Sequence, residues 1–186
     1  MGRLIYSMIT SLDGYASGPG GGFDWALDPG VHAFITEQFD DVGTYLYGRR
    51  MYETMSYWET AHLEPDQPQE GIDYALSWQK ADKIVFSRTL PDVVSARTRL
   101  EREFDPVAVA RWKEELPHDL TIDGPTIAAG AIRAGLVDEF QMFIGPGIVG
   151  GGLRFFPDGV HLDLDLIDDH RFDGGLMFLR YRVAGA

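Results

Sequence analysis

Three short stretches of the sequence place glycine, arginine or hydroxyl side chains directly after a run of apolar residues. They are Gly48, Arg49 and Arg50; Ser87, Arg88 and Thr89; and Gly124, Pro125 and Thr126. Arginine binds phosphate oxygens in a forked geometry, and the free amides of a helix N-terminus attract anions. In a chain of net charge −13, the set predicts a site for a nucleotide with an additional phosphate, which favours NADP over NAD.

Two of these stretches also have an ordinary structural interpretation. The segment LTIDGPTIAAGAI fits a strand, a tight turn and a helix, with Gly124 permitting close backbone approach and Pro125 suiting the first helical turn. Such a connection needs no ligand. Likewise, Arg49 and Arg50 can be a solvated basic pair, although two guanidiniums at a helix N-terminus oppose the helix dipole unless an anion is present.

A literal G-x-G-x-x-G motif is formed by Gly145, Gly147 and Gly150. A dinucleotide-binding turn needs a preceding strand and a helix that opens within the motif. The residues that follow, GGLRFFPDG, contain two further glycines and Pro157, which disfavour a helix. The motif therefore predicts a structural loop.

The elements that must position these turns alternate along the chain, which indicates an α/β sheet with helices on both faces. Asp28 with Pro29 and Asp105 with Pro106 mark helix starts, and Gly135 marks a helix end. The segments 11–22 and 61–71 are expected to be loops. Predicted strands span 3–10, 44–48, 82–87, 119–123 and 136–145, and an antiparallel hairpin spans 162–183. Predicted helices begin at Pro29, at Pro106 and after Gly124. Two further helices are predicted, one from Gly48 to Trp58 and one over 72–80.

Composition narrows the class of protein. The chain has 186 residues, 45% of them hydrophobic, which fits a soluble domain with a sizeable core. No apolar run reaches the roughly 20 residues of a membrane helix, and we expect a cytoplasmic protein. The acidic surface disfavours nucleic acid as a partner. The absence of cysteine excludes disulfides and thiolate nucleophiles.

The tail segment LDLDLIDDH raises the question of a metal site, because it carries four aspartates and a histidine. Its alternation places Leu162, Leu164 and Leu166 on one face and Asp163 and Asp165 on the other. A half-exposed edge strand has this pattern, and its charges discourage pairing with other chains. We therefore expect no metal site.

Five motifs in order resemble the dihydrofolate reductase-like family: SLDGYAS, YLYGRRMYE, IVFSRTL, IDGPTIAAGAIRAGLVDEF and PGIVGGGLRFF. More closely, the chain resembles stand-alone relatives of the reductase, C-terminal domain of the riboflavin-pathway bifunctional deaminase–reductase. The resemblance covers nearly the whole chain and implies one domain over 1–186. It implies an α/β three-layer fold with a mostly parallel central sheet of about eight strands, an antiparallel C-terminal hairpin and helices on both faces.

The same resemblance implies NADPH as cofactor, a small-molecule substrate and a homodimer. Carried over to this sequence, it places Gly48, Arg49 and Arg50 by the cofactor phosphates, and Gly124, Pro125 and Thr126 by the pyrophosphate. It places Ser87 and Arg88 at the adenosine 2′-phosphate. Main-chain groups of Met8 and Ile9 would face the nicotinamide, and the Asp13–Gly14 loop would border the substrate.

The sequence departs from the family pattern at two places. Asp123–Gly124 stands where folate reductases have two adjacent glycines, and a carboxylate there is unfavourable beside a pyrophosphate unless it points away. The first helix carries Val31 and His32 where folate reductases have a carboxylate. His32 could donate a proton because its ordinary pKa lies near neutrality, or it could simply pack on the helix face.

Two other residues are candidates for the substrate side of the site. Asp13 could act in catalysis, or it could close the Ser-Leu-Asp-Gly turn. Trp25 could stack on a heterocycle, or it could pin its loop to the core. The sequence thus predicts an NADPH-dependent reductase of a small heterocycle, pteridine-like or ribosylaminopyrimidine-like, acting by hydride transfer. The alternative is a non-catalytic NADP(H)-binding sensor or partner protein of the same fold.

Overall fold

An eight-stranded sheet forms the centre of the computed structural model, which describes residues 2–22 and 30–185. The strand order is β5-β4-β3-β6-β1-β7-β10-β9. All pairs from β5 to β7 are parallel, and β10 pairs antiparallel with both β7 and β9. The predicted α/β architecture, mostly parallel with an antiparallel C-terminal hairpin, is therefore confirmed.

The strands are β1 Leu4–Thr10, β2 Tyr15–Ser17, β3 Val42–Gly48, β4 Asp82–Phe86, β5 Thr98–Glu101, β6 Asp119–Asp123, β7 Glu139–Ile144, β8 Leu153–Arg154, β9 Leu164–Arg171 and β10 Met177–Val183. The helices are α1 Val31–Gln38, α2 Arg49–Met55, α3 Gln69–Lys80, α4 Pro106–Glu115 and α5 Pro125–Arg133. Strands β2 and β8 form a separate two-stranded ribbon.

Helices cover both faces of the sheet, and each face has its own apolar core. On one face, Val109 of α4 and Ile127 and Ala131 of α5 pack against Leu46 and Ile122. On the other face lie two further clusters, built around Trp78 of α3 with Tyr47 of β3, and around Val31 of α1 with Phe143 of β7. No helix in the described ranges is long and apolar enough to cross a membrane.

The predicted helix signals explain where α4 and α5 begin and end. The side chain of Asp105 accepts a hydrogen bond from the amide of Val107, and Pro106 occupies the first turn, as expected of an N-cap followed by proline. Helix α5 begins at Pro125, and Gly135 follows its end with a φ of 67°. The left-handed conformation at Gly135 is one that glycine adopts without strain.

Several local predictions were wrong. The segment 11–22 contains strand β2, because Tyr15–Ser17 pairs with β8. The segment 61–71 is not all loop, since it holds a 3-10 helix at Ala61–Leu63 and the first turn of α3. The predicted helix from Arg49 to Trp58 changes to a 3-10 helix at Ser56–Glu59.

The start of α1 also differs from its prediction. The helix begins at Val31, with Gly30 before it at a φ of 85°, rather than at Pro29. Asp28, Pro29 and Trp25 lie outside the described residues.

Candidate functional site

The three predicted anion-binding turns lie at one edge of the sheet. Strands β4, β3 and β6 are neighbours in that order and run parallel, so their carboxyl ends meet at the same edge. Ligands of α/β sheets bind in the crevice outside this edge. The pairing of Gly48 with Phe86 and of Tyr47 with Asp123 brings the residues after each strand to the same level.

The turns after β3 and β4 are joined by a side-chain hydrogen bond. Arg49 donates from Nη1 to Oγ1 of Thr89 at 2.8 Å. The same guanidinium donates from Nε to Glu53 Oε1 at 2.7 Å, one helical turn further along α2. Arg49 is thereby held at the edge of the sheet by two partners, although it remains half exposed.

The turns after β3 and β6 approach each other through glycine backbones. Gly124 has a φ of 111°, and a Cβ atom built on it would lie 4.0 Å from the amide nitrogen of Gly48 and 3.5 Å from Cβ of Met51. The positive φ favours glycine at this position, whereas the two distances are ordinary van der Waals contacts. Helix α5 starts one residue later and directs its free amides towards the same edge.

The turn after β4 is ordered by the side chain of Ser87. Its buried Oγ accepts hydrogen bonds from the amides of Leu90 at 2.9 Å and Thr89 at 3.3 Å. Next to it, Arg88 is exposed and forms a 3.0 Å ion pair with Glu103. An exposed pair of this kind contributes little to stability, so Arg88 can exchange Glu103 for another anion at small cost.

Asp123, next to the turn predicted to hold a pyrophosphate, is buried with 4% of its surface exposed. Burial raises its pKa to about 8, although the hydroxyl of Thr121, which donates to Oδ2 at 2.9 Å, and the amide of Ser7 act in the opposite direction. A carboxyl with this pKa is mostly protonated at neutral pH. The residue therefore adds little negative charge at the turn.

Met8 and Ile9 lie on β1, the strand next to β6. Their side chains are half buried and pack on opposite faces of the sheet, Met8 with the α4–α5 core and Ile9 with the cluster around Val31. The expectation that their main-chain groups face the nicotinamide stays a prediction.

Asp13 ties two loops together. It accepts hydrogen bonds from Ser11 Oγ at 2.7 Å, from the amide of Val149 at 3.2 Å and from the amide of Gly150 at 2.8 Å. The Ser11 hydrogen bond lowers its pKa most, with the two amides assisting. These contacts favour the turn-closing interpretation of Asp13 over a catalytic one.

The same contacts settle how the G-x-G-x-x-G segment is held. Gly147 accepts a 2.7 Å hydrogen bond from the amide of Leu12, and Gly150 adopts a φ of 71°. Strand β8 follows rather than a helix. The prediction of a structural loop at Gly145, Gly147 and Gly150 is therefore confirmed.

His32 lies in the first turn of α1 and is half buried against two aromatic rings. Its ring centroid is 5.2 Å from that of Trp58 and 5.8 Å from that of Tyr74. Burial lowers its pKa, and Glu70 partly offsets this effect. The imidazole is therefore mostly neutral at pH 7, which fits packing better than proton donation. Trp25 lies outside the described residues.

Three aspartates of the tail segment, Asp165, Asp168 and Asp169, lie along β9, the exposed edge strand of the sheet, and Asp163 precedes it. Across the ranges 2–22 and 30–185, no group of three or more histidine, aspartate or glutamate side chains is placed to hold a metal ion. The edge position predicted for LDLDLIDDH is confirmed. The expected half-burial is wrong, because Leu162 and Leu166 are 36% and 51% exposed.

Sequence reasoning missed two polar residues that the sheet buries on the α1 face. Ser7 and Gln141 are paired across β1 and β7 and are 6% and 0% exposed. The one signal in the sequence is a glutamine in the otherwise apolar strand segment FQMFI. Buried polar side chains ordinarily have hydrogen-bond partners, and neither polar atom of the Gln141 side chain has one within the described residues.

Comparison with known proteins identifies the family. The family model described as the RibD C-terminal domain matches residues 3–177, and the chain belongs to this family. An uncharacterised protein of Bacillus subtilis, YyaP, is 26% identical over 186 residues, which span 98% of this chain and 96% of that protein.

Solved structures agree on the fold. A putative riboflavin biosynthesis protein from Shewanella sp. PV-4 has a TM-score of 0.71 at 21% identity, covering 97% of this chain and 98% of that one. Dihydrofolate reductase from Enterococcus faecalis, complexed with NADP(H), has a TM-score of 0.66 at 13% identity, with 98% and 96% covered. A deaminase/reductase from Thermotoga maritima has a TM-score of 0.67 at 15% identity, and this chain spans 57% of that protein. The dihydrofolate reductase-like fold is thus confirmed.

Proposed function

We propose that the protein is an NADPH-dependent reductase of a small heterocyclic substrate, pteridine-like or ribosylaminopyrimidine-like. Membership of the RibD C-terminal domain family supports an oxidoreductase, and the NADP(H) complex of a structural neighbour supports a nicotinamide cofactor. The observation that carries the proposal is the convergence of three strand-end turns, joined by the hydrogen bond from Arg49 to Thr89.

The groups at this edge fit a dinucleotide with an additional phosphate. Arg49 and Arg50 supply positive charge at the start of α2, and Arg88 supplies it after β4. Gly124 allows a phosphate to approach the backbone, where α5 contributes its free amides. The neutral state of Asp123 removes the electrostatic objection to a pyrophosphate at this turn. When bound, NADPH would supply the hydride.

Reduction of a C=N or C=O bond needs a proton as well as a hydride. Among the candidate groups in the described residues, Asp13 and His32 both have a lowered pKa. Neither side chain therefore carries a transferable proton at neutral pH. We therefore propose that solvent water supplies the proton, and we assign a positioning role to Asp13, which joins two loops.

A second candidate function is a non-catalytic NADP(H)-binding sensor or partner protein. The absence of a carboxylate at Val31 and His32 favours it, since folate reductases carry one at that place. The two candidates differ in turnover. The deciding experiment is a screen of pterins, ribosylaminopyrimidines and quinones for oxidation of NADPH by the purified protein. Oxidation by any of them supports the reductase, whereas NADPH binding without turnover supports the alternative.

The same proposal includes the expected domain organisation, location and partners. We propose one domain over residues 1–186, a cytoplasmic location, a small-molecule substrate and assembly as a homodimer, without nucleic-acid or membrane partners. Light scattering coupled to gel filtration tests the dimer, which would give twice the 20.8 kDa of the chain.

A further inference from the structure

The turn that follows β4, from Ser87 to Leu90, is held by two sets of hydrogen bonds. In the first set, Ser87 Oγ accepts from the amides of Thr89 and Leu90. In the second, the guanidinium of Arg102 donates from Nη1 to the carbonyl oxygen of Leu90 at 2.7 Å and to that of Ser87 at 3.3 Å. Arg102 thus ties the first residue of the turn to the last.

Arg102 reaches this turn from the neighbouring strand. It is the residue after β5, which pairs in parallel with β4. The amide of Ser87 donates to the carbonyl oxygen of Glu101 at 2.9 Å, so the pairing of the two strands continues into the turn. The carboxyl ends of β4 and β5 therefore meet at one edge of the sheet, and a side chain at the end of β5 can hold the turn after β4.

The hydrogen bonds from Arg102 are of a strong kind, although the residue itself is exposed. A guanidinium is a charged donor, and hydrogen bonds from charged donors are stronger than those between neutral groups. Replacing Arg102 by an apolar residue would leave the two carbonyl oxygens to water and would leave no cavity in the core. The substitution should therefore loosen the turn without unfolding the sheet.

The turn carries Arg88, the residue expected to meet the additional phosphate of the cofactor. The guanidinium of Arg88 pairs with Glu103, and an exposed pair of this kind fixes a side chain only weakly. The hydrogen bond from Arg49 to Thr89 fixes the following residue instead. The place of Arg88 therefore depends on the shape of the main chain from Ser87 to Leu90.

We propose that Arg102 is a positioning residue, which holds the Ser87–Leu90 turn in the shape that presents Arg88 to the additional phosphate of a nucleotide. Arg102 acts through the main chain of the turn and does not itself bind the phosphate. This inference rests on the proposed function, because it concerns the same NADPH-binding edge. It also predicts a property of the protein without nucleotide, so the inference and the proposed function can fail separately.

The first test measures the turn in the absence of nucleotide. Hydrogen exchange followed by NMR reports how often the amides of Thr89 and Leu90, which donate to Ser87 Oγ, open to solvent. We expect both amides to exchange at least about fivefold faster in Arg102→Met than in wild type. Unchanged exchange would overturn the inference, whether or not any nucleotide binds.

Arg99→Met is the matched control. Arg99 lies on β5, is also exposed, pairs with Glu101 at 3.5 Å and stacks on the ring of Trp112 at 4.5 Å. The substitution removes the same charge from the same strand, but Arg99 makes none of the hydrogen bonds that hold the turn. We expect wild-type exchange at Thr89 and Leu90 and a wild-type preference for NADPH over NADH.

The second test is a double-mutant cycle on that preference, with Arg88→Ala, Arg102→Met and the double variant. NADPH and NADH are each titrated by fluorescence. We expect Arg102→Met to reduce the preference for NADPH at least about fivefold and to leave NADH affinity within about twofold of wild type. In the Arg88→Ala background the same substitution should change the preference by less than about twofold, because residues that act through one contact are not additive.

The cycle distinguishes a positioning role from other roles of Arg102. Additive effects of the two substitutions would mean that Arg102 acts on the phosphate directly or by its charge, and they would overturn the positioning role. A full preference for NADPH in Arg102→Met, or in Arg88→Ala, would overturn it as well. Absence of NADPH binding by the wild-type protein contradicts the proposed function, and the exchange measurement then still decides whether Arg102 holds the turn.

Discussion

Arg49 and Thr89 lie 40 residues apart in the chain, yet Nη1 of the arginine donates to Oγ1 of the threonine at 2.8 Å. The bond joins the turns that follow β3 and β4, and the β6 turn lies beside them through Gly48 and Gly124. Three separate signals in the sequence thus lie together at one edge of the sheet.

Replacing Arg49 should weaken NADPH binding without loss of fold. We expect Arg49→Ala to reduce NADPH affinity by roughly tenfold, because a charge-assisted hydrogen bond to phosphate contributes about 1.5–3 kcal/mol. Titration calorimetry measures the affinity. Arg111→Ala is a matched control, since Arg111 is also an exposed arginine four residues before a glutamate, on α4. Equal effects of the two substitutions would argue against a phosphate site at Arg49.

Gly124 should be sensitive to a side chain for conformational reasons. At its φ of 111° an alanine is strained, and we expect Gly124→Ala to lower the free energy of unfolding by about 1–2 kcal/mol and to weaken NADPH binding. Gly135→Ala is the control, because Gly135 also has a positive φ but a Cβ there meets no atom. It should cost stability and leave NADPH affinity unchanged, which denaturant titration and calorimetry together can distinguish.

The raised pKa of Asp123 predicts how stability depends on pH. Its pKa is about 8 in the folded protein against an ordinary 3.8, so the unfolded chain ionises first as pH rises. The free energy of unfolding should therefore fall between pH 4 and 8, by at most about 1.4 kcal/mol per pH unit. The groups facing the carboxyl are tyrosines, Tyr45 and Tyr47 of β3 and Tyr74 of α3, which stay neutral throughout this range.

Asp123→Asn removes this pH dependence. As pH rises from 5 to 8, the variant should become more stable relative to wild type. Urea titrations at each pH measure the two free energies of unfolding. A difference that stays constant over that range would mean that the carboxyl is ionised at neutral pH. The variant should still bind NADPH, because an uncharged group already occupies this place in the wild type.

Asp13 should affect stability in the opposite pH range. Its hydrogen bonds from Ser11, Val149 and Gly150 favour the carboxylate and lower its pKa. The stabilisation is present above the ordinary pKa of 3.8 and is lost as pH falls through the lowered value. Asp13→Ala should therefore melt at a lower temperature than wild type at pH 7, and the difference should be smaller at pH 3. An equal difference at both pH values would contradict the assigned contacts.

Local signals in the sequence were sufficient for much of the fold. The Asp105–Pro106 start of α4 and the Gly135 end of α5 are encoded by capping and backbone conformation, which act over a few residues. Strand β5, Thr98–Glu101, was missed because TRLE has no apolar alternation, and it forms only through pairing with β4. The ribbon of β2 and β8 joins segments far apart in sequence and has no local signal.

Local signals in the sequence also predicted part of the candidate site. The turn residues Gly48, Arg49 and Arg88 follow strands and can be recognised one by one. Ser7 and Gln141 could not be recognised, because a polar residue in a strand suggests a solvent-facing side chain until the covering helix is known. From the sequence, Asp123 appeared unfavourable for binding a pyrophosphate. Its protonation state depends on burial, which only the folded structure shows.

The central claim is that the edge formed by β3, β4 and β6 binds NADPH. The most direct test is titration of the protein with NADPH and with NADH, followed by tryptophan fluorescence, in wild type and Arg88→Ala. The account predicts saturable NADPH binding at least about tenfold tighter than NADH, with the preference reduced in Arg88→Ala. Absence of binding of either nucleotide at about 1 mM would contradict it.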